Sequence, residues 1–123
     1  MKNFRELKVW EKAHRIVIDV YKLTTDFPNH EQYGLVSQLR RAAVSIPANI
    51  AEGCGRNSQK ELRRFLEMAL GSANEVEYLF YLSQELGYTE SKVIDSMIDQ
   101  IVEVKRMLTG LNKRLCLKEK FGG

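Results

Sequence analysis

The chain has 123 residues, 44% of them hydrophobic and 28% charged, with only two prolines. That is enough for one domain around one core, and it holds too few turn-formers for long irregular loops. The formal charge of +3 is too mild to imply a nucleic-acid partner by itself; where the charges fall matters more. No apolar run approaches the roughly 18–20 residues that span a bilayer. Residues 1–6 lack the apolar core and cleavage site of a signal peptide, so a cytoplasmic protein with no membrane contact is expected.

The first helix is expected over about residues 7–24. Val9, Ala13, Ile16, Val20 and Leu23 step by three and four, with Phe27 continuing the stripe past the end. Trp10, Val17 and Tyr21 form a second stripe beside it, and so wide an apolar face suits a bundle helix. Phe27-Pro28 ends the segment, and Asn29 with Gln32 reads as the cap of the next helix.

The second helix is expected over about residues 30–54, on Val36, Leu39, Ala43, Ile46 and Ile50. Pro47 falls in its last third. Proline offers no N–H to the carbonyl four residues back, at a cost of about 3 kcal/mol in a helix interior. The stripe nevertheless keeps phase across it, so a kink is expected and not a stop. Gly53 and Gly55 end the helix, and Ser58 with Glu61 is a capping box that opens the third.

The third helix is expected over about residues 59–86, with Leu62, Phe65, Leu66, Ala69, Ala73, Val76, Leu79 and Phe80 inward. Ala69, Gly71, Ser72 and Ala73 are small and fall near the level of Ala42 and Ala43, so a close approach of the two backbones is expected there. Gly87 ends this helix and Thr89 is the expected cap of the fourth. In the fourth, Ile94, Met97, Ile101, Val104, Leu108, Leu111 and Leu115 alternate steps of three and four. That pattern suits either a core face or a seam between chains; with three partner helices on hand, the core face is the simpler reading. Nothing alternates with period two. Short connections force antiparallel neighbours, so the expected fold is all-α, an up-down-up-down four-helix bundle over residues 1–123 with a proline kink in helix 2.

That topology sorts charge. Residues 1–14, 43–71 and 105–123 share one pole and carry fourteen Lys and Arg against six Asp and Glu, a net +8 that leaves −5 for the rest. Arg56, Lys60, Arg63, Arg64, Lys113, Arg114 and Lys118 are the candidate nucleic-acid-binding residues, with Lys8, Lys12, Lys105, Arg106 and Lys120 in the same pole. Such a cluster can hold phosphates by counterion release. Lys113, Arg114 and Lys118 also read as cations that complement the C-terminal dipole of helix 4, whereas Lys60, Arg63 and Arg64 sit where positive charge is mildly unfavourable. A head-to-tail contact with an acidic neighbour is another outlet for the same dipole. Arg40 and Arg41 point about 100° apart; one is expected to meet Glu75 or Glu77, leaving the other for a partner chain or ligand.

No catalytic constellation stands out, and no metal or cofactor is expected. His14 reads as a structural residue beside Trp10 and Val17, and His30 as an exposed one. The Glu-x-x-His repeats of di-iron bundles are absent, as is the Arg-x4–6-His motif of helical ribonucleases of the HEPN type. Residues 53–58 resemble a phosphate loop only superficially, with no strand before them and no Gly-Lys-Ser/Thr ending. Glu52 is expected to pair with Arg56 at i+4. Cys54 and Cys116 match no metal spacing and read as free thiols.

Phe27-Pro28, Glu31, Tyr33-Gly34-Leu35, Gln38-Leu39-Arg40-Arg41-Ala42 and the run Ser45-Ile46-Pro47-Ala48-Asn49-Ile50-Ala51-Glu52-Gly53 together resemble the four-helix-bundle family encoded in intervening sequences of 23S rRNA genes. Phe4, Leu7, Val9-Trp10 and Ala13 look like that family's first helix, and Phe65-Leu66, Ala69 and Gly71-Ser72 like its third. The resemblance covers nearly the whole chain. A mild departure is Gly71-Ser72-Ala73-Asn74-Glu75-Val76-Glu77, where the family often reads Gly-Ser-Leu-x-Glu-Leu-Glu. The resemblance implies a homopentamer without enzymatic activity. It marks Arg41, Ser45, Ile46, Pro47, Asn49, Ile50, Ala51, Glu52, Gly53, Gly71 and Ser72 as structural. A related branch, the accessory protein of diversity-generating retroelements, binds nucleic acid and a reverse transcriptase.

Two functions compete on these grounds. One is a non-catalytic oligomer that binds RNA or DNA through the basic pole, as an accessory factor of the ribosome or of a reverse transcriptase. The other is a protein-interaction scaffold without nucleic acid.

Overall fold

The apolar stripes become four helices: α1 (Lys8–Thr24), α2 (Leu35–Cys54), α3 (Gln59–Glu85) and α4 (Ser91–Lys120), with short 3-10 turns at Phe4–Glu6 and Asn29–Glu31. A computed structural model describes residues 3–121. Met1 and Lys2, used above for the chain start and the basic pole, lie outside them, as do Gly122 and Gly123. Among the described residues there is no strand.

Every expected inward residue of α2 and α3 is buried, and Ala43, Ile46, Ile50, Ala69, Ala73, Val76 and Phe80 are completely so. In α1, Val9, Ala13, Ile16, Val17 and Val20 are buried, while Trp10 is half-buried and Tyr21 exposed. The second stripe is therefore the rim of the buried face. The α4 pattern is core within the bundle from Ile94 to Leu108 and loosens beyond, where Leu111 and Leu115 are half-buried and Leu117 and Phe121 exposed.

Cross-helix contacts run in opposite order along neighbours. Gln38 meets Glu75 while Gly53 packs on Leu62 and Phe65; Glu77 meets Lys105 while Arg63 meets Asn112 and Glu119. Lys12 reaches Glu103 across α1 and α4.

α2 runs through Pro47 without interruption. The proline is buried and leaves the Ala43 carbonyl without its i+4 donor. Two residues on, the Asn49 side chain donates to the Ser45 carbonyl at 2.8 Å, adding a side-chain bond to the helix beside the gap.

Three helix starts or contacts differ from expectation. α2 begins at Leu35, not at residue 30, and Asn29 makes no cap bond. Instead, Glu31 Oε1 accepts from the Leu35 N–H at 3.1 Å, and Glu31 Oε2 accepts from the Tyr88 hydroxyl at 2.8 Å. The Leu35 bond first, and then Tyr88, holds the Glu31 carboxyl below its ordinary range, while the bond to Glu31 raises the Tyr88 hydroxyl. The residue at the N-cap position of α4 is Glu90, not Thr89, and its side chain makes no cap bond; the chain turns before it at Gly87 (φ 75°). There the Tyr88 and Gly87 N–H groups close α3 onto the Ser83 and Gln84 carbonyls. Finally, a Cβ built at Gly71 meets nothing within 4 Å. Gly71 lies two residues, about 200°, from both Ala69 and Ala73, so it faces solvent when they face the core. Ala42, Ala43, Ala69 and Ala73 are all buried, and a close approach is seen at Gly53, where a Cβ would stand 2.9 Å from Phe65 Cβ and 3.0 Å from Leu62 Cδ1.

Candidate nucleic-acid interface

The fold gathers the expected basic residues at one end, because the starts of α1 and α3 and the ends of α2 and α4 converge there. Their surroundings then divide them. Arg56 donates to Glu52 at 2.9 Å, one turn back, and lies over the Phe65 ring at 4.9 Å. Arg64 forks onto both oxygens of Glu61 at 3.2 Å and covers Phe65 at 4.8 Å. The Arg64 hydrogen bonds hold the Glu61 carboxyl below its usual range, and Glu61 in turn raises Arg64. Ser58 Oγ caps α3 by accepting from the Glu61 N–H at 3.2 Å. Glu61 therefore completes only half of the capping box, since its carboxylate is turned to Arg64.

Arg63 is the most enclosed of the three. Its Nε donates to Asn112 Oδ1 at 3.2 Å and Nη1 to Glu119 Oε2 at 3.1 Å, which ties the start of α3 to the last turns of α4. These carboxylates offset the unfavourable placing of cations at a helix N-terminus. Lys12 and Lys105 are likewise paired, with Glu103 and Glu77.

Lys8, Lys60, Arg106, Lys113, Arg114, Lys118 and Lys120 carry no ion pair or side-chain hydrogen bond among the described residues. All but Lys60 lie at the start of α1 or along the second half of α4. Arg106, Lys113 and Lys120 recur every seven residues and hold one stripe of α4. Lys8, Arg106 and Arg114 share a groove of about 390 Å³ between α1 and α4. Lys8 and Arg106 belong to the expected pole, but nothing in spacing alone set them apart. The signal that was available is Gly110, a glycine inside an otherwise regular helix pattern.

Arg40 and Arg41 do not meet Glu75 or Glu77. Arg40 donates to Thr24 Oγ1 at 2.9 Å and lies over the Tyr21 ring, because α1, not α3, flanks that side of α2. Glu75 takes Gln38, and Glu77 takes Lys105. Among the described residues Arg41 donates only to Ser37 Oγ, at 3.3 Å. Together with Ser45, Ser72, Glu75 and the almost fully exposed Tyr33, Arg41 lines a groove of about 480 Å³ between α2 and α3. Of the other residues that carry the resemblance, Ile46, Pro47, Ile50 and Gly53 are buried and Ala51 is half-buried.

His14 is exposed and stacks on Trp10, with ring centroids 5.1 Å apart. His30 lies edge-on to Tyr88. Cys54 is buried and Cys116 half-buried, both as thiols. Among the described residues no group of three or more His, Cys, Asp or Glu could hold a metal ion, and no helix is long and apolar enough to cross a membrane.

No curated protein matches the chain. Among solved structures it resembles the crystal structure of a protein of unknown function from the S23 ribosomal protein family of Bacteroides thetaiotaomicron. The two share 25% identity with a TM-score of 0.79, over 85% of this chain and 95% of that one. The family model described as 23S rRNA-intervening sequence protein matches residues 5–110. The chain, a four-helix bundle carrying that motif on α2, belongs to the 23S rRNA-intervening sequence protein family.

Proposed function

We propose that this protein is a non-catalytic, homo-oligomeric accessory factor that binds RNA or another polynucleotide through its basic end. The observation that carries the reading is the set of unengaged cations along α4 and at the start of α1. Cations already answered by carboxylates gain little from a phosphate; unanswered ones gain a partner and release counterions. Assembly into a homopentamer, implied by the family resemblance, would repeat a weak site several times and multiply its affinity. Exposed apolar and aromatic residues along α3, Met68, Tyr78 and Tyr81, support self-association.

The test is binding of a labelled single-stranded RNA as a function of salt. Affinity should fall by about 10²-fold or more between about 50 and 200 mM salt, the behaviour of several phosphate contacts. Reversing Lys113 and Lys118 together should weaken binding without changing the melting temperature. No binding at about 50 mM salt would overturn the reading and favour a protein-interaction scaffold.

A further inference from the structure

We infer that the groove between the start of α1 and the second half of α4 is the anchoring site for a backbone phosphate of a bound polynucleotide. The inference rests on the polynucleotide reading above and says where on the basic end the chain is gripped. Lys8, Arg106 and Arg114 line the groove with Leu7, Met107 and Leu111, and no carboxylate lines it. The other grooves differ. Arg41 faces Glu75 in one, and Lys12 and Arg15 share another with Glu103. The most voluminous holds Asp19, Asp26 and Glu90; the α1–α2 groove also lacks a carboxylate, but its two arginines are held, Arg40 by Thr24 and Tyr21 and Arg41 by Ser37. Only at the α1–α4 groove, among these, do several cations converge with nothing to answer them. Three like charges facing one space repel one another, and an anion between them relieves that repulsion. The apolar wall formed by Leu7, Met107 and Leu111 thins the water around the site and strengthens the attraction.

Gly110 is the second observation. A glycine in a helix interior costs about 0.5–1 kcal/mol relative to alanine, yet Gly110 lies well inside the 30-residue α4. A Cβ there would meet only Arg114 Nη1, at 3.5 Å, so no packing contact demands glycine. What its missing side chain does is let the Arg114 guanidinium lie low against the helix at the floor of the groove. A polymer fits better than a free phosphate because the cations continue beyond the groove. From Arg106 to Lys120 the α4 stripe runs about 21 Å, at about 1.5 Å per residue, far longer than one phosphate.

The test measures affinity of the full chain for a single-stranded oligouridylate of about 15 nucleotides at about 50 mM salt, with melting temperatures alongside. Arg106→Glu and Arg114→Glu should each lower affinity about tenfold and flatten the salt slope by about one. Gly110→Leu keeps every charge but fills the groove, and should lower affinity about tenfold with the melting temperature unchanged or raised. Gly110→Ala, with a smaller intrusion, serves if the leucine disturbs the fold. Lys92→Glu, at the other end of the bundle, should stay within about twofold. If Gly110→Leu and Arg106→Glu both bind as the unaltered chain does, the groove is not the anchor, although the polynucleotide reading survives. If the unaltered chain binds no oligonucleotide, both fall.

Discussion

Two seams of this bundle end at the same pole and are built in opposite ways. Along the α2–α3 seam Gly53 lets the backbones close until a Cβ would collide with Phe65, and Arg56 and Arg64 fold over that ring onto Glu52 and Glu61. Along the α1–α4 seam a Cβ at Gly110 would touch only the Arg114 guanidinium, and Lys8, Arg106 and Arg114 line the groove without ion pairs among the described residues. A glycine in one seam brings two helices together and in the other makes room for a guanidinium, and an arginine in one is structural and in the other available. Charge counts treat the two alike; the placing of carboxylates separates them.

The contrast is open to direct attack. The largest effect should come from Gly53→Ala, which forces Phe65 or the backbone to move and should cost about 1–3 kcal/mol, lowering the melting temperature by about 5–10 °C. The corresponding Gly110→Ala should not destabilise. Next, Arg63→Ala removes the tie between α3 and α4 and leaves Asn112 and Glu119 without it. About 1 kcal/mol should be lost, with faster amide exchange in the last two turns of α4 as the local readout. Smaller still, Glu61→Gln releases Arg64 from its fork and should raise polynucleotide affinity about two- to threefold with a steeper salt slope, so that a closed-seam arginine begins to behave like an open-seam one. No change in affinity would show that Arg64 is held by Phe65 alone.

The smallest effect lies at the far end of the molecule and depends on pH. Because the folded-state pKa of Glu31 is lowered, its contribution is present above the ordinary carboxylate value and is lost as pH falls through the lowered one. The difference in melting temperature between the unaltered chain and Glu31→Gln should therefore be seen near neutral pH and narrow as the pH drops well below the ordinary value of 4.5. A difference independent of pH would mean that shape, not charge, secures the start of α2.

Most of the framework could be read from the sequence because it depends on local period. The stripes of α2 and α3, the Ser58 cap and the continuation of α2 past Pro47 all follow from residues three or four apart. What escaped depends on distant pairs. The start of α2 waits for Gly34 because Glu31 is held by Tyr88, 57 residues away, and no local pattern carries that. Arg63 belongs to the structure because Glu119 lies 56 residues further on. Arg40 turned to Thr24 because its side of α2 faces α1. Gly71 was misread for a local reason, since a patch of small residues need not lie on one face of a helix.

The separation of charge has a consequence for how the molecule moves before it touches anything. Its net +3 hides opposed ends, and the acidic groove of Asp19, Asp26 and Glu90 lies far from the cations of α4. In the field of any extended anion such a body feels a torque as well as a pull. It arrives already turned, with the end of α4 leading, so a larger share of collisions is productive than its modest net charge would suggest. The same lopsidedness should make it cling to cation-exchange resin more firmly than an evenly charged protein of equal pI, and let go over a narrow window of ionic strength.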